Sequence, residues 1–258
     1  MKSARMFAVL AIVLVMATLI TGCSAKSSAT VIATDAAFPP MEFVDESKEI
    51  VGFDIDLMNA IAAEMDLEIE FKNTAWDGIF AGLETDDYDA IMSAVTITEE
   101  RQAKYDFSDA YINAGQAIIV TSDCTSVAGA ADLSGKTVGA QIGTTGALAV
   151  QEMDGATLKE YDTIDLALLD LVSGNIDVVV VDTPVAADYA LASDQFAGKL
   201  KIVGEPITDE YYGLLVRKGK NGDFLSAFNE GLAKVKASGE YQEIYDEWIT
   251  GGGTSTVD

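Results

Sequence analysis

Histidine is absent from this chain. That excludes Ser–His and Cys–His nucleophile pairs and imidazole-based metal sites, and leaves acid–base chemistry to carboxylates. Cysteine is nearly as scarce, with Cys23 and Cys124 the two present. Cys23 has a separate assignment below, so Cys124 stands alone and no internal disulfide is predicted. Positive charge is also short: 16 Lys and Arg face 42 Asp and Glu, a formal net charge of −26. A polyanion with no basic patch does not bind nucleic acid by neutralising phosphates. Bulk charge does not identify a small ligand; it fits solubility or a saline habitat. Past residue 20 no run is long and apolar enough for a membrane span.

What is present begins with a leader. "MKSARMFAVLAIVLVMATLITGC" carries Lys2 and Arg5, then a 15-residue apolar run from Met6 to Ile20, short for a bilayer span. "ITGC" resembles a bacterial lipobox. Residues 1–22 therefore read as a lipoprotein signal peptide, and Cys23 as the lipidated first residue that ties the mature chain to a membrane. The alternative is a buried helix beside a chance cysteine; the basic flank, length, position and small residues favour the leader. Residues 23–29 read as the lipidated cysteine and a short tether. Losing Lys2 and Arg5 takes the mature charge from −26 to −28. The 258 residues, 49% apolar, suffice for one large domain or two small ones with a real core.

Periodicity predicts a β/α rhythm. Residues 30–34 form an apolar strand ending at Asp35. In "DIDLMNAIAAEMD", Leu57, Met58, Ile61 and Met65 share one helical face. "LEIEFKN" alternates as a strand. Thr74 and Asp77 stand at capping-box spacing before a helix carrying Trp76, Ile79, Phe80 and Leu83. "YDAIMSAV" reads as a buried strand, and Thr98 as the N-cap of "EERQAKY". "GQAIIVTSD" is a strand; "LSGKTVGAQIGTTGALAVQEM" is strand, loop and helix. "TIDLALLDLVSGN" is a helix stopped by Gly174. "IDVVVVDTP" is a buried strand, with Thr183 and Pro184 at N-cap and N1 of the next helix. "YYGLLVRKG" is a strand, and two helices follow. The rhythm predicts an α/β fold with mainly parallel sheets. A gapless self-match at an offset of 88, "WDGIFAGLETDDYDAIMSAVT" on "IDLALLDLVSGNIDVVVVDTP", pairs Asp77 with Asp165, Leu83 with Leu171 and Asp89 with Asp177. It hints at two lobes, although any two such units share the pattern.

In open parallel sheets ligands bind beyond the carboxyl ends of strands. Asp35, Ser93–Thr96, Asp182 and the loop "GTTG" (143–146) all sit at such ends. If two sheets face one another, the four converge on one cleft. Arg101 offers a planar fork to a carboxylate, and backbone N–H groups near Thr96 and 143–146 attract an anion. Asp182 suits an ammonium group; Phe38 and Trp76 offer apolar faces. Together these suit an α-amino acid. Each has an ordinary alternative: a surface pair of Arg101 with Glu99 or Asp106, a capping role for Asp182 or Asp35, core packing for the aromatics, a plain loop at "GTTG".

The segments "ATDAAFPPMEFVDES", "VGFDIDLMNAIAAEMDLEIEF", "TAWDGIFAGLETDDYDAIMSAVTITEERQAKYDFSDAY", "LSGKTVGAQIGTTG" and "EYYGLLVRKG", in this order, resemble the polar amino-acid solute-binding proteins of ABC importers (solute-binding protein family 3). The likeness runs from about Thr30 to Trp248. It implies a two-lobed periplasmic-binding-protein-like fold. Lobe 1 would hold residues 30–114 and 214–250, lobe 2 residues 115–213, with hinge strands near Gln116–Val120 and Tyr211–Leu215 and a flexible tail at 251–258. It implies Arg101 on the ligand carboxylate, aided by the hydroxyl or N–H of Thr96 and by Thr144 and Thr145. Asp182 would take the ammonium group, with a carbonyl near Ser93 or Ala94. Phe38 and Trp76 would sandwich the stem, and Asp35 and Gln141 would face the variable end. Two positions depart from the family: Ala94 where glycine is common, and Met41 where an aromatic is common.

The expected function is a monomeric, lipid-anchored receptor that binds a polar or cationic L-amino acid and hands it to ABC permease subunits, with no cofactor, metal or catalysis. Glutamine, arginine, lysine and histidine all fit, while Asp35 would repel an acidic ligand. The alternatives are an enzyme on the same scaffold, dehydratase- or lyase-like, and a sensory binding module. Little chain outside the binding core and no helix beyond Trp248 weigh against both.

Overall fold

The computed structural model describes residues 29–250. The signal peptide, Cys23 and the tail at 251–258 lie outside the described residues. No described helix is long and apolar enough to cross a membrane.

The chain opens with strand β1 (Thr30–Thr34) and a three-stranded flap, β2 (Ala37–Phe38), β3 (Glu42–Val44) and β4 (Ile50–Val51). Helix α1 (Phe53–Met65) follows; Phe53, Leu57, Met58 and Ile61 on its inner face are fully buried. Each such side chain contributes about 1.5–3 kcal/mol. Strand β5 (Ile69–Asn73), helix α2 (Trp76–Glu84), strand β6 (Ala90–Ile91), helix α3 (Glu99–Lys104) and strand β7 (Tyr105–Phe107) complete the first pass. The predicted capping box at Thr74 does not form. Thr74 N–H is still bonded to the Thr34 carbonyl at 2.9 Å, so the helix starts one residue late, with Ala75 at N-cap. The "YDAIMSAV" strand is shorter than expected, pairing over Ala90–Ile91.

Strand β8 (Ile112–Asn113) then leads out of this lobe into β9 (Gln116–Thr121). The second lobe adds β10 (Thr137–Gln141), α4 (Thr145–Gln151), β11 (Thr157–Tyr161), α5 (Ile164–Val172), β12 (Val178–Asp182), the short α6 (Thr183–Ala187) and β13 (Leu200–Val203). Asp182, not Thr183, occupies the N-cap of α6, because β12 runs straight into the helix. The chain returns through β14 (Tyr211–Tyr212), which pairs antiparallel with β8, then β15 (Leu215–Arg217), α7 (Gly222–Ser238) and α8 (Glu240–Trp248). The predicted strand "YYGLLVRKG" is thus split at Gly213. The stretch Gln116–Val120 lies within the second sheet, and the paired crossing is β8 with β14.

The sheets run β5-β1-β6-β15-β7 and β11-β10-β12-β9-β13. In each, one strand opposes the rest, and it is the strand that has just crossed from the other lobe. The lobes therefore share one plan, and the offset of 88 maps α2 onto α5 and β6 onto β12. The repeated aspartate does the same work twice. Asp89 Oδ2 accepts from Val31 N–H at 2.9 Å, and Asp177 Oδ2 from Thr137 N–H at 2.8 Å, each pinning the start of a neighbouring parallel strand. Asp86 (φ 65°) and Gly174 (φ 75°) make the matching left-handed turns.

Candidate functional site

The carboxyl ends of both sheets meet at one cavity. All eleven residues singled out in the sequence line it: Asp35, Phe38, Trp76, Ser93, Ala94, Thr96 and Arg101 from the first lobe, and Gln141, Thr144, Thr145 and Asp182 from the second. The lobes touch across it. Gln141 Nε2 donates to Asp35 Oδ2 at 3.2 Å, and Arg101 Nη2 to the Gly143 carbonyl at 3.4 Å. Gly143 makes this approach with φ 69°, a left-handed turn that suits a residue without Cβ.

Arg101 is set by its helix. Thr98 caps α3, its hydroxyl accepting from Arg101 N–H at 3.1 Å. The guanidinium lies 5.7 Å from the Trp76 ring centre and 5.3 Å from that of Phe80, and Nη1 donates to the Thr96 carbonyl at 2.9 Å. Among the described residues no carboxylate lies within ion-pair distance of it. Glu100 pairs with Lys104 and Asp106 with Lys218. Burial disfavours its charge. The charges of Asp182 and Glu210 act on it from beyond ion-pair distance, and a buried guanidinium stacked on aromatics with no direct ion pair is a ready receptor for a carboxylate.

Asp182 does not cap the helix it begins: no side-chain cap bond forms, and Oδ1 instead accepts from Gln116 Nε2 at 2.9 Å. Burial, then the nearby Glu210 charge, raise its carboxyl to about 7. Asp35 is raised to about 6, again chiefly by burial, against the Gln141 amide. Both carboxyls are primed for a cation, whose arrival would restore their ionised form.

Glu42 completes the lining, and the sequence reading missed it. It is fully buried, and its Oε1 accepts from Ser93 Oγ at 2.9 Å, while Ser93 Oγ accepts from Asp35 N–H at 2.9 Å. Behind it Asp54 Oδ2 accepts from Ala94 N–H at 2.8 Å and Tyr111 OH at 2.7 Å. Burial raises both carboxyls. The Asp54 charge raises Glu42 further, and Glu42 Oε2 and Asp54 Oδ1 have no other hydrogen-bond donor among the described residues. The one local cue was alternation after Pro40, which turns Met41 and Phe43 one way and Glu42 the other. Ala94 sits at φ 48°, the left-handed region, which explains why glycine suits this position.

The sequence of Bacterial extracellular solute-binding proteins, family 3, matches this chain over residues 30–251. The chain belongs to that family. The arginine-binding periplasmic protein of Mannheimia haemolytica is 35% identical over 240 residues, covering 91% of this chain and 97% of its own. Among solved structures, the arginine-, lysine-, histidine-binding protein ArtJ of Geobacillus stearothermophilus superposes with a TM-score of 0.80 at 38% identity, covering 86% of this chain and 96% of its own. An ancestral arginine-binding protein, solved with arginine and with glutamine, matches with a TM-score of 0.80 at 40% identity, covering 86% and 98%. This chain is thus a two-lobed member of an extracytoplasmic family, and the relatives named above are amino-acid-binding proteins.

Proposed function

We propose that this chain captures a cationic L-amino acid, arginine foremost, between its lobes and delivers it to an ABC permease from a lipid anchor on Cys23. One observation carries the ligand class. The cavity lining holds one guanidinium with no carboxylate within ion-pair distance among the described residues, together with the carboxyls of Asp35, Glu42 and Asp182. Arg101 takes the ligand carboxylate and Asp182 the α-ammonium. The stem lies between Phe38 and Trp76, and the guanidinium end meets Asp35 and the negative charge shared by Glu42 and Asp54. Contacts from Asp182, Gln141 and the Thr145 backbone exist only when the second lobe has swung in. That difference in binding free energy drives closure.

The test is a thermal-shift and calorimetric screen of all amino acids on the form lacking residues 1–23. L-Arginine at a hundred times its dissociation constant is expected to add about 2.7 kcal/mol. No shift and no heat with any amino acid would refute the reading. Glutamine binding tighter than arginine would replace it with a neutral polar ligand, the reading that the glutamine complex of the ancestral relative favours. Ligand recovered from the denatured complex is expected unchanged by mass spectrometry; a product would mean an enzyme. Cys23→Ser is expected to release the protein from the membrane fraction.

A further inference from the structure

Glu210 has no place in the cavity lining, yet it collects more donors than any ligand-facing group there. It lies on the returning crossing just before β14, and its carbonyl accepts from Ala114 N–H on the outgoing crossing at 2.8 Å. Its Oε2 accepts from Thr96 Oγ1 at 2.9 Å, Thr145 Oγ1 at 2.6 Å and Gln116 Nε2 at 3.4 Å, and its Oε1 from Thr208 Oγ1 at 2.7 Å. Thr96 belongs to the first lobe and Thr145 to the second, with their hydroxyl oxygens 3.3 Å apart. A threonine hydroxyl has one proton. Given to Glu210, it is not available to a ligand.

We infer that Glu210 is a closure latch: a positioning residue that takes the hydroxyl protons of Thr96 and Thr145 and so fastens one lobe to the other at the hinge side of the cleft. This rests on the amino-acid-binding reading above and sharpens it. With both hydroxyl protons committed, the ligand carboxylate is left to Arg101 and to backbone N–H groups. The Thr96 N–H is suitably placed. In the Thr96–Tyr212 bridge the ladder bonds run from Ile97 N–H to Tyr211 and from Gly213 N–H to Val95, so Thr96 turns its own N–H away from that strand.

A double-mutant cycle tests the latch. Thr145→Val keeps the side chain's shape and removes the hydroxyl; Glu210→Ala removes the acceptor, and Glu210→Gln keeps a single oxygen. Dissociation constants for L-arginine are measured on the wild type, the singles and the Thr145→Val/Glu210→Ala double. Each single is expected to weaken binding about tenfold through a faster off-rate, as loss of a charge-assisted hydrogen bond requires. Glu210→Gln should lie between wild type and Glu210→Ala. In the Glu210→Ala background Thr145→Val should cost nothing further. If it costs the same in both backgrounds, the hydroxyl serves the ligand and the latch is overturned. The same cycle in urea unfolding of the unliganded proteins serves where no variant binds L-arginine. There the ligand reading fails, and coupling or additivity in unfolding decides for or against the latch. Coupling in unfolding with additive losses in L-arginine affinity would reduce Glu210 to a static tie and also overturn the proposal.

Discussion

The pocket carboxyls make ligand affinity a function of pH. L-Arginine keeps both cationic groups and its carboxylate charged from pH 5 to 8, so any change comes from the protein. Asp182 is raised to about 7 and Asp35 to about 6 in the unliganded site. A cation seated on them needs both ionised. At pH 5 deprotonating Asp182 costs about two pH units of free energy and Asp35 about one, so affinity should fall about a thousandfold from pH 8 to pH 5, about 4 kcal/mol. Titration calorimetry across this range, in two buffers of different ionisation enthalpy, reads both the dissociation constant and the protons released. Release of about two protons per ligand is expected at pH 5 and almost none at pH 8. An affinity that is flat across the range, or proton uptake, would refute the assignment of these carboxyls to the ligand's positive groups.

The unliganded protein should show the opposite trend. Carboxyls raised by burial stabilise the fold while protonated, and that contribution is lost as pH rises through 6 to 7. Urea unfolding should therefore weaken between pH 5 and 8, by about 2.6 kcal/mol from Asp182 alone. Arg101→Ala should cost about 2–5 kcal/mol of L-arginine binding by calorimetry, since a buried carboxylate loses its partner; unchanged affinity would return Arg101 to a structural role. Ala94→Gly should relieve a left-handed alanine and raise the melting temperature by about 2–4 °C, the response to about 1 kcal/mol in a chain of this size. Glu42→Gln mimics the protonated acid and keeps a donor for Asp54. It should leave stability at pH 7 within about 1 kcal/mol, whereas a larger loss would mean that Glu42 is ionised.

Sequence by itself determined the elements and the strand ends. Periods of 2 and 3.6 residues record which side of each element is buried, and that is local information. It was enough to place Asp35, Ser93–Thr96, the loop 143–146 and Asp182 where parallel strands stop, and Arg101 one turn into a capped helix; Gln141 came from the family resemblance. Boundaries slipped where pairing with a distant segment won. Thr74 stayed in the sheet because Thr34 offers it a carbonyl, and β12 ran on through Asp182.

Only the tertiary structure decided charge state and partnership. Whether Arg101 formed a surface ion pair depended on Glu100 and Asp106 pairing with Lys104 and Lys218 instead. Glu42 entered the cavity because the flap folds over the end of β1, beside Ser93 and Asp54. The raised carboxyls of Asp35 and Asp182 follow from desolvation by segments far away in sequence. Glu210 meets Thr96 and Thr145 only where two crossings and two lobes come together. Such effects depend on distance and local dielectric, which the order of residues along the chain does not encode.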